Sequence, residues 1–264
     1  MIAAIKAEFR KLFTTRMWWI LSLVMIAYLA FISLIMGFAF TATDDMTGGM
    51  LGGRDLATTL YSLVNPIGYV FPLIIGSLLF TGEFRHKTIT SSLLVEPSRS
   101  LLLVAKLVVA AIVGLVYGVV AITSTIAGAA PFLEILGDGA YLGDVEVWKL
   151  IASAVWVFIL WSMIGVALGG LIVNQVAAII VILAMTQFIE PILGIALAAW
   201  EPTSGIAQYL PGAAGSSVLG SSFMDMGMGL MDQLSRLEGS LVLIAYVAVF
   251  ALGARFITLR RDIG

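Results

Sequence analysis

The chain contains no cysteine and a single histidine, His86. The first absence excludes disulfides, thiolate metal sites and cysteine nucleophiles, and leaves the redox compartment open. The second removes most metal-dependent chemistry, which needs two or three imidazole or carboxylate ligands converging on one point. No catalytic residue and no metal site is therefore expected. Charge is scarce as well: Asp, Glu, Lys and Arg make up 11% of the 264 residues, against about 25% in a soluble domain. The few basic residues form no stripe, and the net charge is −2, so no nucleic-acid partner is expected. Nor is there a G-x-x-x-x-G-K-[ST] phosphate loop, so any ATP-driven work falls to another subunit. No internal repeat is visible that would point to an inverted-repeat transporter.

What the chain has in abundance is hydrocarbon: 61% of its residues are hydrophobic and its mean hydropathy is +1.08. Crossing roughly 30 Å of bilayer takes about 20 apolar residues. Six runs of that length occur, at 17–40, 57–81, 101–128, 148–172, 176–199 and 240–258. The first is too long for a signal-peptide core and lacks an A-x-A-like cleavage site, so it is read as a retained span. With the N-terminus inside, 11 of the 14 basic residues are cytoplasmic and only Arg54, Lys149 and Arg236 are external. The positive-inside rule then predicts a multi-pass protein with both termini in the cytoplasm.

Residues 1–16 carry Ile2, Ile5, Phe9, Leu12 and Phe13 at helical spacing, with Lys6, Glu8, Arg10 and Lys11 assigned to the other side. The pattern predicts an interfacial helix whose basic face meets anionic membrane lipid. The external segment 200–239 is too polar for a span and too apolar for a tether, which suits short helices lying on or dipping into the protein. Gly114–Gly118 and Gly165–Gly169 are G-x-x-x-G spacings that permit close helix approach, within the chain or between chains. Lys106, near the start of the third span, is expected to snorkel back to the cytoplasm.

Two stretches carry candidate function. Glu190 is the one carboxylate within a predicted span, which marks it as functional by default; Pro191 beside it should disturb the helix. Gln187, one turn earlier, is placed on the same face. Glu190 is read either as part of a transport path or outer gate, or as a structural hydrogen bond to the external segment. The second stretch, 82–97, is predicted as one amphipathic helix that starts where span two ends at Gly82 and stops at Pro97. Glu83, Phe84, Arg85, His86, Lys87, Thr88 and Ile89 give it a charged and apolar surface suited to a groove on a cytosolic protein.

"GEFRHKTITSSLLVEPSRSLLLVAK", residues 82–106, resembles the Gly-Glu, basic residue, Thr, Leu-Leu, Pro, Arg and Lys pattern of the permease subunits of the ABC type-2 exporter family. The pattern falls on Gly82, Glu83, Arg85, Thr88, Leu93, Leu94, Pro97, Arg99 and Lys106, and Lys87 stands where a Gly is common. "QYLPGAAGSSVLG" in the external segment is similar to the Leu-Pro stretch of actinobacterial-type members. The resemblance implies an all-α, six-span permease domain over 1–264 in a bacterial plasma (inner) membrane, with 82–97 as a coupling helix. It further implies an ABC ATP-binding subunit holding ATP and Mg, no cofactor on this chain, a second permease copy or paralogue, and a path lined by spans two and five, including Gln187 and Glu190. The expected function is export of a hydrophobic or amphipathic substrate. The alternative is a stand-alone secondary transporter or channel using Glu190 as its ion-coupling carboxylate.

Overall fold

The computed structural model describes residues 2–42, 52–88, 98–199, 201–220 and 234–258, and every regular element in them is helical. Six helical stretches are long and apolar enough to cross a membrane: Met17–Ala42, Gly53–Arg85, Ser100–Ile135, Val145–Leu171, Gln175–Ala198 and Arg236–Ile257. Each predicted run lies on one of them. The helices extend past the apolar runs where caps support polar residues. Ser98, Asp144 and Asn174 accept amide hydrogen bonds at the starts of spans three, four and five, and Ser235 with Glu238 forms a capping box on span six. Span two is broken into Gly53–Ser62, Val64–Gly68 and Val70–Arg85.

Spans two and four form the buried centre, whereas spans one, five and six expose most of their apolar surface. Both G-x-x-x-G spacings are used within the chain. A Cβ at Gly165 would lie 2.2 Å from the Leu73 carbonyl oxygen, and one at Gly169 2.5 Å from that of Ser77, so these glycines let span four touch the backbone of span two. Gly114 and Gly118 do the same for span three, where a Cβ would meet Ile159 and Val155 backbone at 2.7 and 2.8 Å. Backbone proximity of this kind replaces the hydrophobic drive that lipid does not supply.

The bundle has two chemically distinct ends. The three basic residues that break the positive-inside bias sit together at one of them. Arg54 faces Asp144 at 3.8 Å, while Lys149 and Arg236 share Glu146 at 2.6 and 3.7 Å. At the opposite end Arg255 of span six bonds Ser100 at 2.7 Å and Arg85 of span two bonds Gln175 at 3.3 Å. The end of the last span therefore returns to the level of the 85–100 and 171–175 connections.

An N-terminal helix, Ile2–Thr14, precedes span one. Its inward face differs from the predicted one. Ile5 and Phe9 pack partly against the core and Leu12 is buried, but Ile2 and Phe13 are exposed, and Glu8 is buried in place of facing solvent. Glu8 lies one turn before Leu12, so an inward Leu12 brings Glu8 inward too. Between spans five and six, helices Glu201–Ala207 and Pro211–Leu219 account for the apolar residues Val218 and Leu219, both buried. The methionine-rich stretch 221–233 lies outside the described residues.

Candidate functional site

Span two does not stop at Gly82. Its helix runs to Arg85 and ends in a Schellman motif: the Thr88 amide donates to the Glu83 carbonyl at 2.9 Å and the Lys87 amide to that of Phe84 at 3.2 Å. Lys87 occupies the left-handed position of this cap, with φ of 55°, where a residue without Cβ fits best. That is the position at which the sequence pattern favours Gly. The prediction of one helix over 82–97 is thus corrected: 82–85 belong to span two, and the chain turns at 86–88. Ile89 and the rest of the stretch to Pro97 lie outside the described residues.

The seven candidates of this stretch separate accordingly. Arg85, His86, Lys87 and Thr88 are exposed and Phe84 is half-buried, its ring stacked on Phe80 with centroids 6.0 Å apart. Glu83 is 4% exposed and points into the protein, so it does not contribute to an outward surface. It meets Lys106, which does not snorkel but is fully buried. The Lys106 ammonium lies 2.6 Å from Glu8 Oε2, 3.1 Å from Glu83 Oε1 and 2.7 Å from the Leu79 carbonyl oxygen. It also sits 5.4 Å from the centre of the Phe80 ring. Lys11 completes the group, 2.6 Å from Glu8 Oε1 and 2.5 Å from Glu83 Oε1. Two carboxylates and two ammoniums therefore clasp the N-terminal helix to spans two and three. Snorkelling fails because the N-terminal helix covers the route to water and supplies the counter-charge where Lys106 stands. Burial alone would raise the Glu8 pKa, but Lys106 and then Lys11 outweigh it and hold the carboxyl below its ordinary range.

At the other end, span five carries a wide π turn, Met185–Ile189, that ends two residues before Pro191. Proline has no amide to continue the α ladder, and the extra residue in the turn is how the helix accommodates it. The wider turn rotates the faces. Thr186, not Gln187, shares the inward side with Glu190: Thr186 is buried and Gln187 exposed. The Tyr69 hydroxyl of span two lies 2.9 Å from the Thr186 carbonyl oxygen, to which it donates, and 3.3 Å from Glu190 Oε2. Glu190 Oε1 accepts a hydrogen bond from the Gly212 amide in the first turn of Pro211–Leu219. A carboxylate there satisfies an otherwise unpaired amide and faces the positive end of the helix dipole. Asn65 extends the cluster, bonding Ser216 Oγ at 3.1 Å and accepting from Trp161 Nε1 at 3.3 Å. Spans two, four and five and the helix Pro211–Leu219 are thus joined by one polar cluster. Asn65 and Tyr69 were missed at the sequence level, though two polar side chains one turn apart in an apolar run are a usable signal.

Glu190→Leu removes the acceptor from the Gly212 amide, and is expected to lower stability by about 1–3 kcal/mol, whereas Glu190→Gln keeps an acceptor oxygen and should melt close to wild type. Thermal unfolding of both purified variants checks this. A Leu variant that melts like wild type would mean that the bond to Gly212 contributes nothing to stability.

Among the described residues no three His, Asp or Glu side chains converge as metal ligands would. No curated protein gives a significant match to the chain. A family model described as ABC-2 family transporter protein matches residues 4–198, from the N-terminal helix to the end of span five and over well more than half of the chain. The residues of the buried clasp and of the span-two cap fall inside that match, and with six membrane-spanning helices around them the chain belongs to the ABC-2 transporter family.

Proposed function

We propose that this chain is the permease subunit of an ATP-driven exporter that moves a hydrophobic or amphipathic substrate out of the cytoplasm or inner leaflet. The observation that carries the reading is membership of the ABC-2 transporter family by a six-span chain whose sequence has no phosphate loop. Families of this kind generally work with an ABC ATP-binding subunit, so ATP and Mg are assigned to that partner and no cofactor to this chain. The energy for outward release comes from a difference in substrate affinity between inward- and outward-facing states, which ATP binding on the partner would drive.

The end holding the 85–100 connection is assigned to the cytoplasm of a bacterial cell, with both termini there and the chain in the plasma membrane. Arg85, His86, Lys87 and Thr88, exposed at the cap of span two, are assigned as the described part of the partner-coupling surface. Ile89 extends it in sequence. The working unit is read as two permeases, identical or paralogous, with two ATP-binding subunits, all 264 residues forming one permease domain. Spans two and five meet through Tyr69, Thr186 and Glu190, which supports their facing a common path. Glu190 acts there as an outer closure between span five and the external helix, and Gln187 remains a candidate for contact with substrate from its exposed side. The ion-driven alternative is less well supported, because the Glu190 carboxylate is engaged by the Gly212 amide and Tyr69 hydroxyl.

Reversing both cations, Arg85→Glu with Lys87→Glu, is expected to weaken association with the ATP-binding subunit about tenfold or more, since an interfacial charge pair is worth roughly 1–3 kcal/mol. Co-purification from membranes at matched expression reads this out. Unchanged stoichiometry and undiminished ATP-driven transport would reduce the stretch to a topology signal.

A further inference from the structure

The hydrogen bonds around Glu190 can be satisfied together in only one way. In the π turn of span five the Glu190 amide donates to the Met185 carbonyl. The Thr186 carbonyl thereby loses its α-helical donor, and the next amide along would belong to Pro191, which has none. The Tyr69 hydroxyl, 2.9 Å away, takes that place, as a carbonyl inside a span requires. A phenol has a single proton, so once Tyr69 donates to Thr186 its oxygen can only accept. Glu190 Oε2 nevertheless lies 3.3 Å from that oxygen. A carboxylate is also an acceptor only, and the two would face each other with no proton between them. A proton on Oε2 removes the conflict. Oε2–H then donates to Tyr69, Tyr69 donates to Thr186, and Oε1, the carbonyl oxygen of the acid, still accepts from the Gly212 amide.

No neighbouring charge offers another solution. The polar groups acting on Glu190 are the Gly212 amide and the Tyr69 hydroxyl, and no cation is among them in the described residues. Tyr246 of span six, within electrostatic reach, gives its hydroxyl to the Tyr209 carbonyl at 3.2 Å. Span four brings the indole of Trp161, which donates to Asn65. Pro211–Leu219 has no titratable residue, and Glu201 is the one in Glu201–Ala207.

We propose that Glu190 is an un-ionised acid in this arrangement, so that the joint between spans two and five is a binding site for one proton. Release of the proton sets a carboxylate against the Tyr69 oxygen and breaks that contact, while the bond to Gly212 stays. A held proton thus keeps the joint closed, and its loss at higher pH opens it. The proton site rests on the hydrogen bonds alone; its use as a switch rests also on the reading of Glu190 as an outer closure.

Infrared spectra of the purified full chain in nanodiscs test the proton. Near neutral pH the wild-type minus Glu190→Gln difference should contain the carbonyl band of one un-ionised carboxyl group, and the band should be lost as pH is raised. Gln reproduces the hydrogen bonds of the neutral acid, donating to Tyr69 and accepting from Gly212, so the two proteins share one fold. Carboxylate bands in place of the carbonyl band would overturn the proton site. The switch is read from Thr186→Cys, the only thiol in a chain that has no cysteine. Thr186 is buried, and its backbone carbonyl is what meets Tyr69. Labelling by a small thiol reagent, divided at each pH by that of the same cysteine combined with Glu190→Gln, should rise as the band disappears. The division cancels the ionisation of the thiol itself. A ratio that stays constant while the band is lost would overturn the switch, independently of the proton site.

Discussion

Replacing Lys106 with methionine is expected to destabilise the protein by about 3–5 kcal/mol, the usual consequence of removing one partner from a buried ion pair. Methionine keeps the length and the apolar stem, so packing against Phe80 is disturbed little and the effect isolates the charge. Glu8 Oε2 loses its partner at 2.6 Å and the Leu79 carbonyl its donor at 2.7 Å. Lys11 remains beside both carboxylates, which places the loss toward the lower part of the range. Removing all the buried charge at once, with Glu8→Gln and Glu83→Gln added to Lys106→Met, should recover most of the stability, because neutral groups of similar volume avoid the desolvation penalty. The pH dependence has a definite sign. Glu8 is held below its ordinary range in the folded protein, so the stability it contributes is full above the usual carboxylate pKa and is lost as pH falls through the folded value. The gap between wild type and Lys106→Met should therefore be steady near neutrality and narrow in acid. Thermal unfolding from neutral into acid pH measures both, and a single variant as stable as wild type would mean the clasp is ornamental.

Gly165→Ala should be at least as damaging. A Cβ there lies 2.2 Å from the Leu73 carbonyl oxygen and 2.9 Å from its carbon, and the obstacle is backbone that cannot rotate away. Spans two and four would have to separate along the seam that Gly169 also serves. Overpacking a close-packed core costs roughly 1–3 kcal/mol even when side chains can adjust; here the figure should be roughly 3 kcal/mol or more, read as loss of folded protein after extraction. Gly82→Ala is the control. It sits in the same span-two helix with nothing within 4 Å of its Cβ, so the substitution should be neutral or stabilise by about 0.5–1 kcal/mol through helix propensity. Similar losses in both variants would refute the seam.

The spans were legible because a bilayer reports directly on composition: about twenty apolar residues in a row admit few other readings. The three exceptions to the charge bias lie together at one end, paired with Asp144 and Glu146. The clasp was not legible. Its members are separated by up to 98 residues, and periodicity within the N-terminal helix assigned Glu8 to the wrong face because Ile2 and Phe13 widened the apparent apolar arc. A usable signal existed in Lys106 itself, since a lysine inside a span needs a counter-charge as well as a route to water. The end of span two was misplaced for another reason: Phe84, Thr88 and Ile89 continue a helical spacing across a cap that Lys87 forms without the expected glycine. Glu190 was half legible. Its isolation marked it and Pro191 forecast a disturbed helix, but the wide turn exchanged Gln187 for Thr186 on its face, and hydropathy carries no information about such a turn.

The most direct measurement isolates this chain from its own host's membranes through an affinity tag and compares ATP hydrolysis by the resulting complex with that of the chain purified alone, both in nanodiscs. The account predicts hydrolysis that is sensitive to vanadate in the complex, a phosphate-loop protein present in stoichiometric amount, and no hydrolysis by the chain alone. ATP hydrolysis by the isolated chain, or ion-gradient-driven transport in vesicles containing only this chain and no ATP, would contradict it.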